Sequence, residues 1–147
     1  MSLLAVYSTI RRTLVAIGLA AIAAIHVLDL PGKLEDGPTY LALGYVGVIV
    51  ASLVLVERVI VKGSRLDFAA SAVLAASVFI GFVINRTIGM PGATDDIGNW
   101  LEPLGLLSLL VEGFVVWQSL VALVGLSRTQ TESVADVPVR ELQTNSK

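Results

Sequence analysis

Four long runs of apolar residues alternate with polar connections along the chain. The runs occupy residues 13–30, 39–56, 68–84 and 104–126. Because a helix rises about 1.5 Å per residue and the hydrocarbon layer is about 30 Å thick, each run has roughly the length of a membrane-spanning helix. Strands of a β-barrel would be shorter and would alternate polar with apolar residues. The pattern therefore predicts an all-α fold, an antiparallel transmembrane four-helix bundle.

The connections between the runs set the predicted topology. Residues 31–38 form a turn-rich loop, and residues 57–67 form a charged loop that can prolong the helices on both sides. Both are short enough to make the joined helices antiparallel neighbours. Residues 85–103 form a longer outer loop between helices three and four, which we expect to fold over the mouth of the bundle.

A capping signal precedes the fourth apolar run. Asn99 followed by Glu102 has the spacing of a capping box, and Pro103 is tolerated in a first helical turn. These residues predict that the fourth helix begins near Trp100.

Composition and length indicate a membrane protein of one domain. The 147 residues are 55% hydrophobic and 15% charged, whereas a soluble domain carries about 25% charged residues. The predicted membrane domain covers residues 1–126, and the polar residues 127–147 are predicted to form a disordered cytoplasmic tail. The chain has no cysteine, which excludes disulfides, thiolate metal sites and thiol catalysis.

Basic residues predict the orientation of the bundle, because Lys and Arg near the ends of spans stay preferentially on the cytoplasmic side. Placing both termini in the cytoplasm leaves only Lys33 and Arg86 outside. The basic residues then inside are Arg11, Arg12, Arg58, Lys62, Arg65, Arg128, Arg140 and Lys147. We therefore predict a multi-pass protein of the cell membrane with cytoplasmic N- and C-termini.

Small residues at a spacing of four recur in the first three spans. Such residues let helix backbones approach closely in lipid, so we expect them to pack this bundle, with oligomerisation through one of the faces left open. They are Ala16, Ala20, Ala24, Gly47, Ala51, Ala72, Ala76, Ser77 and Gly81.

Glu112 is the clearest polar residue within a predicted span. An ionisable side chain at mid-bilayer costs about 2.5 to 3.5 kcal/mol on insertion scales, so it needs an internal partner or a use. At about 100° per residue, Gly105, Ser108, Glu112 and Ser119 fall within an arc of about 60°. We expect this polar stripe to face the bundle interior or a water-filled cavity.

His26, the only histidine, and Asp29 lie near the outer end of the first span. Side chains tilt toward the N-terminal end of their helix, so His26 leans inward while Glu112 leans outward. We therefore expect these two side chains to meet. By the same rule Arg86 leans back toward the membrane, where it can reach Glu102, Asp29 or the polar stripe.

The sequence thus predicts an outward-facing polar site within the membrane that binds a small ligand or ion. Its candidate residues are His26, Asp29, Arg86, Glu102, Ser108 and Glu112. Alternatively, His26 and Glu112 only hold helices one and four in register. A metal could use His26, Asp29 and Glu112, but this modest ligand set matches no known spacing motif, so no metal is predicted. No cofactor is identifiable, and Asp95 and Asp96 are interpreted as solvated acids rather than calcium ligands.

Three elements resemble a loosely defined group of short four-span membrane proteins of actinobacterial type. They are Ile25-His26 before a proline-containing outer loop, Arg86-Thr87-Ile88-Gly89-Met90-Pro91, and Glu102-Pro103-Leu104-Gly105 with the later Glu112. The resemblance covers most of the four-span region and rests mainly on the Arg-Thr-x-Gly-x-Pro element. It implies an integral membrane location and no particular substrate. Members often have a second histidine in the first outer loop and an acid in place of Ser108, and this chain has neither.

We interpret the chain as a non-enzymatic membrane protein with a ligand site, and two other classes stay open. An accessory or structural subunit of a membrane complex would use its small-residue faces against a partner or a second copy. A membrane enzyme would use His26, Glu112 and Arg86 as acid, base and anion clamp, although no nucleophile or cofactor motif recommends it. We expect contact with the lipid bilayer and none with nucleic acid.

Overall fold

Four helices make up the described part of the chain. The computed structural model describes the backbone of residues 3–35 and 37–144, and the side chains of residues 6–35 and 37–127. The helices are α1 (Leu3–Glu35), α2 (Thr39–Val61), α3 (Arg65–Thr87) and α4 (Pro103–Thr144). Each helix packs against two neighbours, in the ring order α1, α2, α3, α4 and back to α1. The predicted all-α four-helix architecture is confirmed.

Each helix contains a stretch that is long and apolar enough to cross a membrane. The stretches are Val6–Glu35, Thr39–Val61, Arg65–Thr87 and Pro103–Ser127. They are longer than the apolar runs because each helix continues through the polar turns that flank its run. Together they support a multi-pass membrane protein, with large apolar side chains exposed on all four helices for contact with lipid. We call the end of the bundle with the α1–α2 and α3–α4 connections the loop end, and the opposite end the basic end.

Helix α1 passes through Pro31 and ends at Glu35, so residues 31–35 belong to the helix and not to a turn. A proline inside a helix removes one backbone hydrogen bond, at a cost of about 3 kcal/mol. The turn beyond Pro31 makes a tertiary contact that offsets part of this cost, because Lys33 binds Asp96 at 3.2 Å. Sequence spacing alone does not reveal this partner.

Helix α4 begins at Pro103, later than the predicted start near Trp100. The amide of Leu106 donates to the carbonyl of Glu102 at 3.0 Å, which closes the first turn. A residue before proline is disfavoured in the helical region, so the helix does not extend backward through Glu102. The Glu102 carboxylate binds Arg86 of α3, a stronger partner than a backbone amide at the helix start.

The backbone of α4 is helical as far as Thr144, across most of the segment for which the sequence predicts disorder. Once a buried span has nucleated a helix, each further residue adds a hydrogen bond at little extra cost, so the helical backbone can continue into polar sequence. Residues 145–147 lie outside the described residues. The disordered tail stays a prediction.

The apolar core lies in the middle and toward the basic end of the bundle. Its buried members are Val15, Leu19, Ile22, Leu55, Val59, Phe68, Ala75, Val115 and Ala122. Close helix approach depends on two glycines outside the predicted small-residue set. A side chain at Gly18 would collide with Val115 of α4, and one at Gly105 would collide with Phe82 of α3.

Only part of the predicted small-residue set is buried within the described residues. Ala16 is buried and four members are partly buried, whereas four are exposed: Ala20, Ala24, Gly47 and Ser77. The expectation that they pack the bundle was wrong for these four. On each helix the larger apolar side chains determine which face turns inward.

The turn between α2 and α3 is stabilised by a charged capping box that the sequence reading missed. Ser64 caps α3, and the fully buried Asp67 accepts hydrogen bonds from the Ser64 amide at 2.9 Å and hydroxyl at 2.6 Å. Its other oxygen accepts from Arg58 Nε at 2.7 Å. The Ser-x-x-Asp spacing before an apolar run was the available signal.

We expect Asp67→Ala to lower the free energy of unfolding by about 2 kcal/mol, because the substitution removes a helix cap and a charge-assisted hydrogen bond. Thermal unfolding in mild detergent measures the change. Glu57→Ala, at an exposed acid near the same turn, is the matched control and should stay near wild type. Equal losses in both variants would contradict the assigned role of Asp67.

Candidate functional site

A cavity at the loop end of the bundle is lined by residues of all four helices. Its volume is about 370 Å³. The structure brings all the sequence-predicted site residues to its wall: His26, Asp29, Arg86, Glu102, Ser108 and Glu112. The polar stripe of α4 is also buried as expected, from Gly105 to Ser119.

A cluster of charged and amide side chains lies where the cavity meets the α3–α4 connection, and we call it the mouth cluster. It consists of Lys33, Asn85, Arg86, Asp96 and Glu102. Arg86 is 4% exposed and binds Asp96 Oδ1 at 2.5 Å and Glu102 Oε2. Asp96 Oδ2 accepts from Lys33 at 3.2 Å and from Asn85 at 3.0 Å. Every charge of the mouth cluster therefore has an opposite charge beside it.

Arg86 reaches one of its predicted partners and one that was not predicted. It pairs with Glu102 as expected, whereas its second partner is Asp96 instead of Asp29. The interpretation of Asp96 as a solvated acid was wrong, because this carboxylate is the shared acceptor for both cations at the loop end. The guanidinium also lies 5.0 Å from the centroid of the Phe82 ring, within the range of a cation–π contact.

The α3–α4 connection is held against the helices by backbone and side-chain hydrogen bonds. Gly98 donates to the carbonyl of Arg86 at 2.9 Å with a φ of +80°, a conformation that glycine adopts without strain. The Tyr40 hydroxyl of α2 donates to the carbonyl of Pro91 at 2.8 Å. Met90 and Asp96 of this connection reach the cavity wall. Part of the connection therefore lines the cavity.

Glu112 lies deeper, roughly 14 Å from the start of α4 at about 1.5 Å per residue. Its residue surface is 0% exposed. Ser108 donates a hydrogen bond to Oε1, and Oε2 has no hydrogen-bond partner within the described residues. A buried polar group without a partner costs roughly 1–3 kcal/mol, and more when it is charged. This oxygen is therefore an unsatisfied hydrogen-bond acceptor on a residue of the cavity wall.

His26 and Glu112 share the cavity but do not hydrogen-bond each other. His26 Nδ1 lies 2.9 Å from the carbonyl of Ile22, which can only accept, so Nδ1 carries a proton and donates to this carbonyl. The His26 ring lies 4.9 Å from that of Tyr45, centroid to centroid. The expected meeting of His26 with Glu112 is replaced by this contact with α2.

Tyr45 is a further wall residue that the sequence reading missed. Its hydroxyl donates to Asp29 Oδ2 at 2.7 Å, which gives the acid of α1 a neutral partner from α2. No sequence signal singled it out, because a tyrosine in an apolar span is ordinarily interpreted as an anchor at the membrane interface.

The contacts of these residues bear on two kinds of chemistry, metal binding and acid–base catalysis. No group of three or more His, Cys, Asp or Glu side chains in the described residues could hold a metal ion, so His26, Asp29 and Glu112 do not form a metal site there. The acid, base and clamp of a membrane enzyme are also not in mutual contact, since Arg86 is bound to Asp96 and Glu102 and His26 to Ile22.

Comparison with known proteins adds no further constraint: no family model, curated protein or solved structure matches the chain.

The charge on Asp96 should make stability depend on pH. Burial raises the pKa of the Asp96 carboxyl, but hydrogen bonds from Arg86 and Asn85 and the charge of Lys33 outweigh it and hold the pKa below the ordinary value of 3.8. A lowered pKa means that the stabilisation is present above pH 3.8 and is lost as the pH falls through the folded-state value.

We therefore expect Asp96→Asn to reduce the free energy of unfolding by roughly 1 to 2 kcal/mol at pH 7, since charge-assisted hydrogen bonds contribute about that much at a partly exposed site. The difference from wild type should shrink below pH 3.8, where the wild-type carboxyl protonates. Thermal midpoints measured across pH report this, with the exposed neighbour variant Asp95→Asn as control. A difference that grows toward acid would contradict the ion-pair assignment.

Proposed function

We propose that the chain is an integral membrane protein of the cell membrane that binds a small ligand or ion in the loop-end cavity. The observation that carries the proposal is the buried Glu112 Oε2, which lacks a hydrogen-bond partner among the described residues and belongs to a residue of the cavity wall. Membrane proteins rarely keep an ionisable group in this state without a use.

The wall has the composition of a ligand site. Apolar residues such as Ile25, Val48 and Leu74 form much of its surface, and a few polar groups converge on the interior. The cavity volume of about 370 Å³ lies near the lower end of ligand pockets, which are usually about 300–1,000 Å³. These properties favour a small molecule over a large one.

The resemblance to the actinobacterial four-span group is part of this proposal. Its main element contributes Arg86 and a second element contributes Glu102, which are ion-paired to each other at the mouth of the cavity, and its later acid is Glu112. Residues of separate elements that meet in one site support a shared role for them.

A substitution that fills the cavity should abolish binding. Gly44 and Gly47 lie on α2, each with open space where a side chain would extend, but only Gly44 lines the cavity. We expect Gly44→Leu to remove the thermal stabilisation that a bound probe confers, and Gly47→Leu to keep it. The probes are phenethylamine, phenethyl alcohol and hydrocinnamate, which share one small skeleton. If none of the three raises the thermal midpoint of the wild-type protein, the proposed ligand site is wrong.

Orientation is proposed from charge, with the basic end in the cytoplasm. The chain lacks cysteine, so single cysteines can be placed without background. Asp95→Cys at the loop end should react with a membrane-impermeant maleimide in intact cells, and Lys62→Cys at the basic end only after lysis. Both positions are exposed. The reverse labelling pattern would invert the topology.

A further inference from the structure

We propose that the ligand of this cavity is an organic cation, a protonated amine on a small apolar body, with its ammonium group at Glu112 Oε2. This inference rests on the proposed function and specifies the chemical class that the same site takes.

The balance of charge around the cavity favours a cation. Among the described residues, its wall carries four acids, Asp29, Asp96, Glu102 and Glu112, and two strong bases, Lys33 and Arg86. Both bases are bound to acids of the mouth cluster. Two carboxyl groups, those of Asp29 and Glu112, are thus left without a cationic partner within the described residues. An anion would meet an excess of negative charge here.

The open oxygen at Glu112 requires a donor. Its neighbour Oε1 already accepts a hydrogen bond from Ser108. A ligand that donates to Oε2 would therefore leave both carboxylate oxygens hydrogen-bonded. A protonated amine makes this bond with charge assistance, which is roughly twice as strong as a bond from a neutral hydroxyl. In a site removed from water, the same amine also neutralises a charge that hydrocarbon would otherwise oppose.

The remaining wall specifies the rest of the ligand. Around the polar groups lie the side chains of Val48, Leu74, Val78 and Leu104, which favour an apolar body. A bare metal ion would leave this surface empty and would need several oxygen ligands at once. No such group of ligands is formed within the described residues. The geometry therefore favours an amine that carries hydrocarbon.

Three probes with one skeleton separate charge from shape. At pH 7 phenethylamine is cationic, phenethyl alcohol is neutral and hydrocinnamate is anionic. We expect phenethylamine to raise the thermal midpoint of the wild-type protein in an uncharged detergent with a saturable concentration dependence, at least tenfold more tightly than either of the other two. This comparison needs no variant, so it stands even where a substitution disturbs folding.

A second arm assigns the contact to Glu112. Glu112→Gln keeps the shape of the side chain and removes the charge, and we expect it to weaken phenethylamine binding at least tenfold. The matched control is Glu57→Gln, at an exposed acid of α2 near the basic end, which should bind as the wild type does. Phenethylamine binding that survives Glu112→Gln would place the ammonium group elsewhere and overturn the inference, whether or not Gly44→Leu abolishes binding.

The outcomes distinguish this inference from the proposed function. Binding of phenethyl alcohol or hydrocinnamate in preference, with loss in Gly44→Leu, would keep the cavity as a ligand site and overturn the amine class. Binding of none of the probes would overturn both. Preference for the amine with loss in Gly44→Leu and Glu112→Gln would support both.

Discussion

The ion pairs of Arg86 are the interaction on which the loop end of the bundle depends. The guanidinium belongs to the last turn of α3 and binds one acid in the α3–α4 connection and another directly before α4. A buried cation in a membrane protein is tolerated only when its neighbours neutralise it, so these three residues have to be placed together. Their arrangement determines where the connection lies, and through it the upper wall of the cavity.

Two kinds of buried acid occur in the described residues, and they differ in how many of their carboxylate oxygens are hydrogen-bonded. Asp67 accepts from Ser64 and Arg58, so both of its oxygens are bound and its role is to join two helices. Glu112 has one bound oxygen and one that lacks a protein partner in the described part of the chain. Stability accounts for the first acid. Stability does not explain why Glu112 is buried with one oxygen unpaired, and this is the physical reason to assign that residue to a ligand.

Local helix geometry explains what the sequence could predict. The stripe from Gly105 to Ser119 was found because residues of one helix keep a fixed angular spacing, and the pairing of Arg86 with Glu102 because a side chain leans toward the start of its helix. Asp96 was misread because its partners depend on the path of a long connection that contains several glycines. Tyr45 was missed because its contact with Asp29 depends on how two helices rotate against each other, which no single segment encodes.

Asp96 also acts as a cross-brace. Lys33 belongs to α1 and Arg86 to α3, helices that stand diagonally opposite in the ring, and one carboxylate binds both. The diagonal width of the bundle at this end is therefore set by the reach of two polar side chains toward a common acceptor, and less by the bulk of packed aliphatic groups. The width of the cavity mouth should therefore change little with the apolar volume nearby. It should change markedly with the length of the side chains at positions 33 and 86.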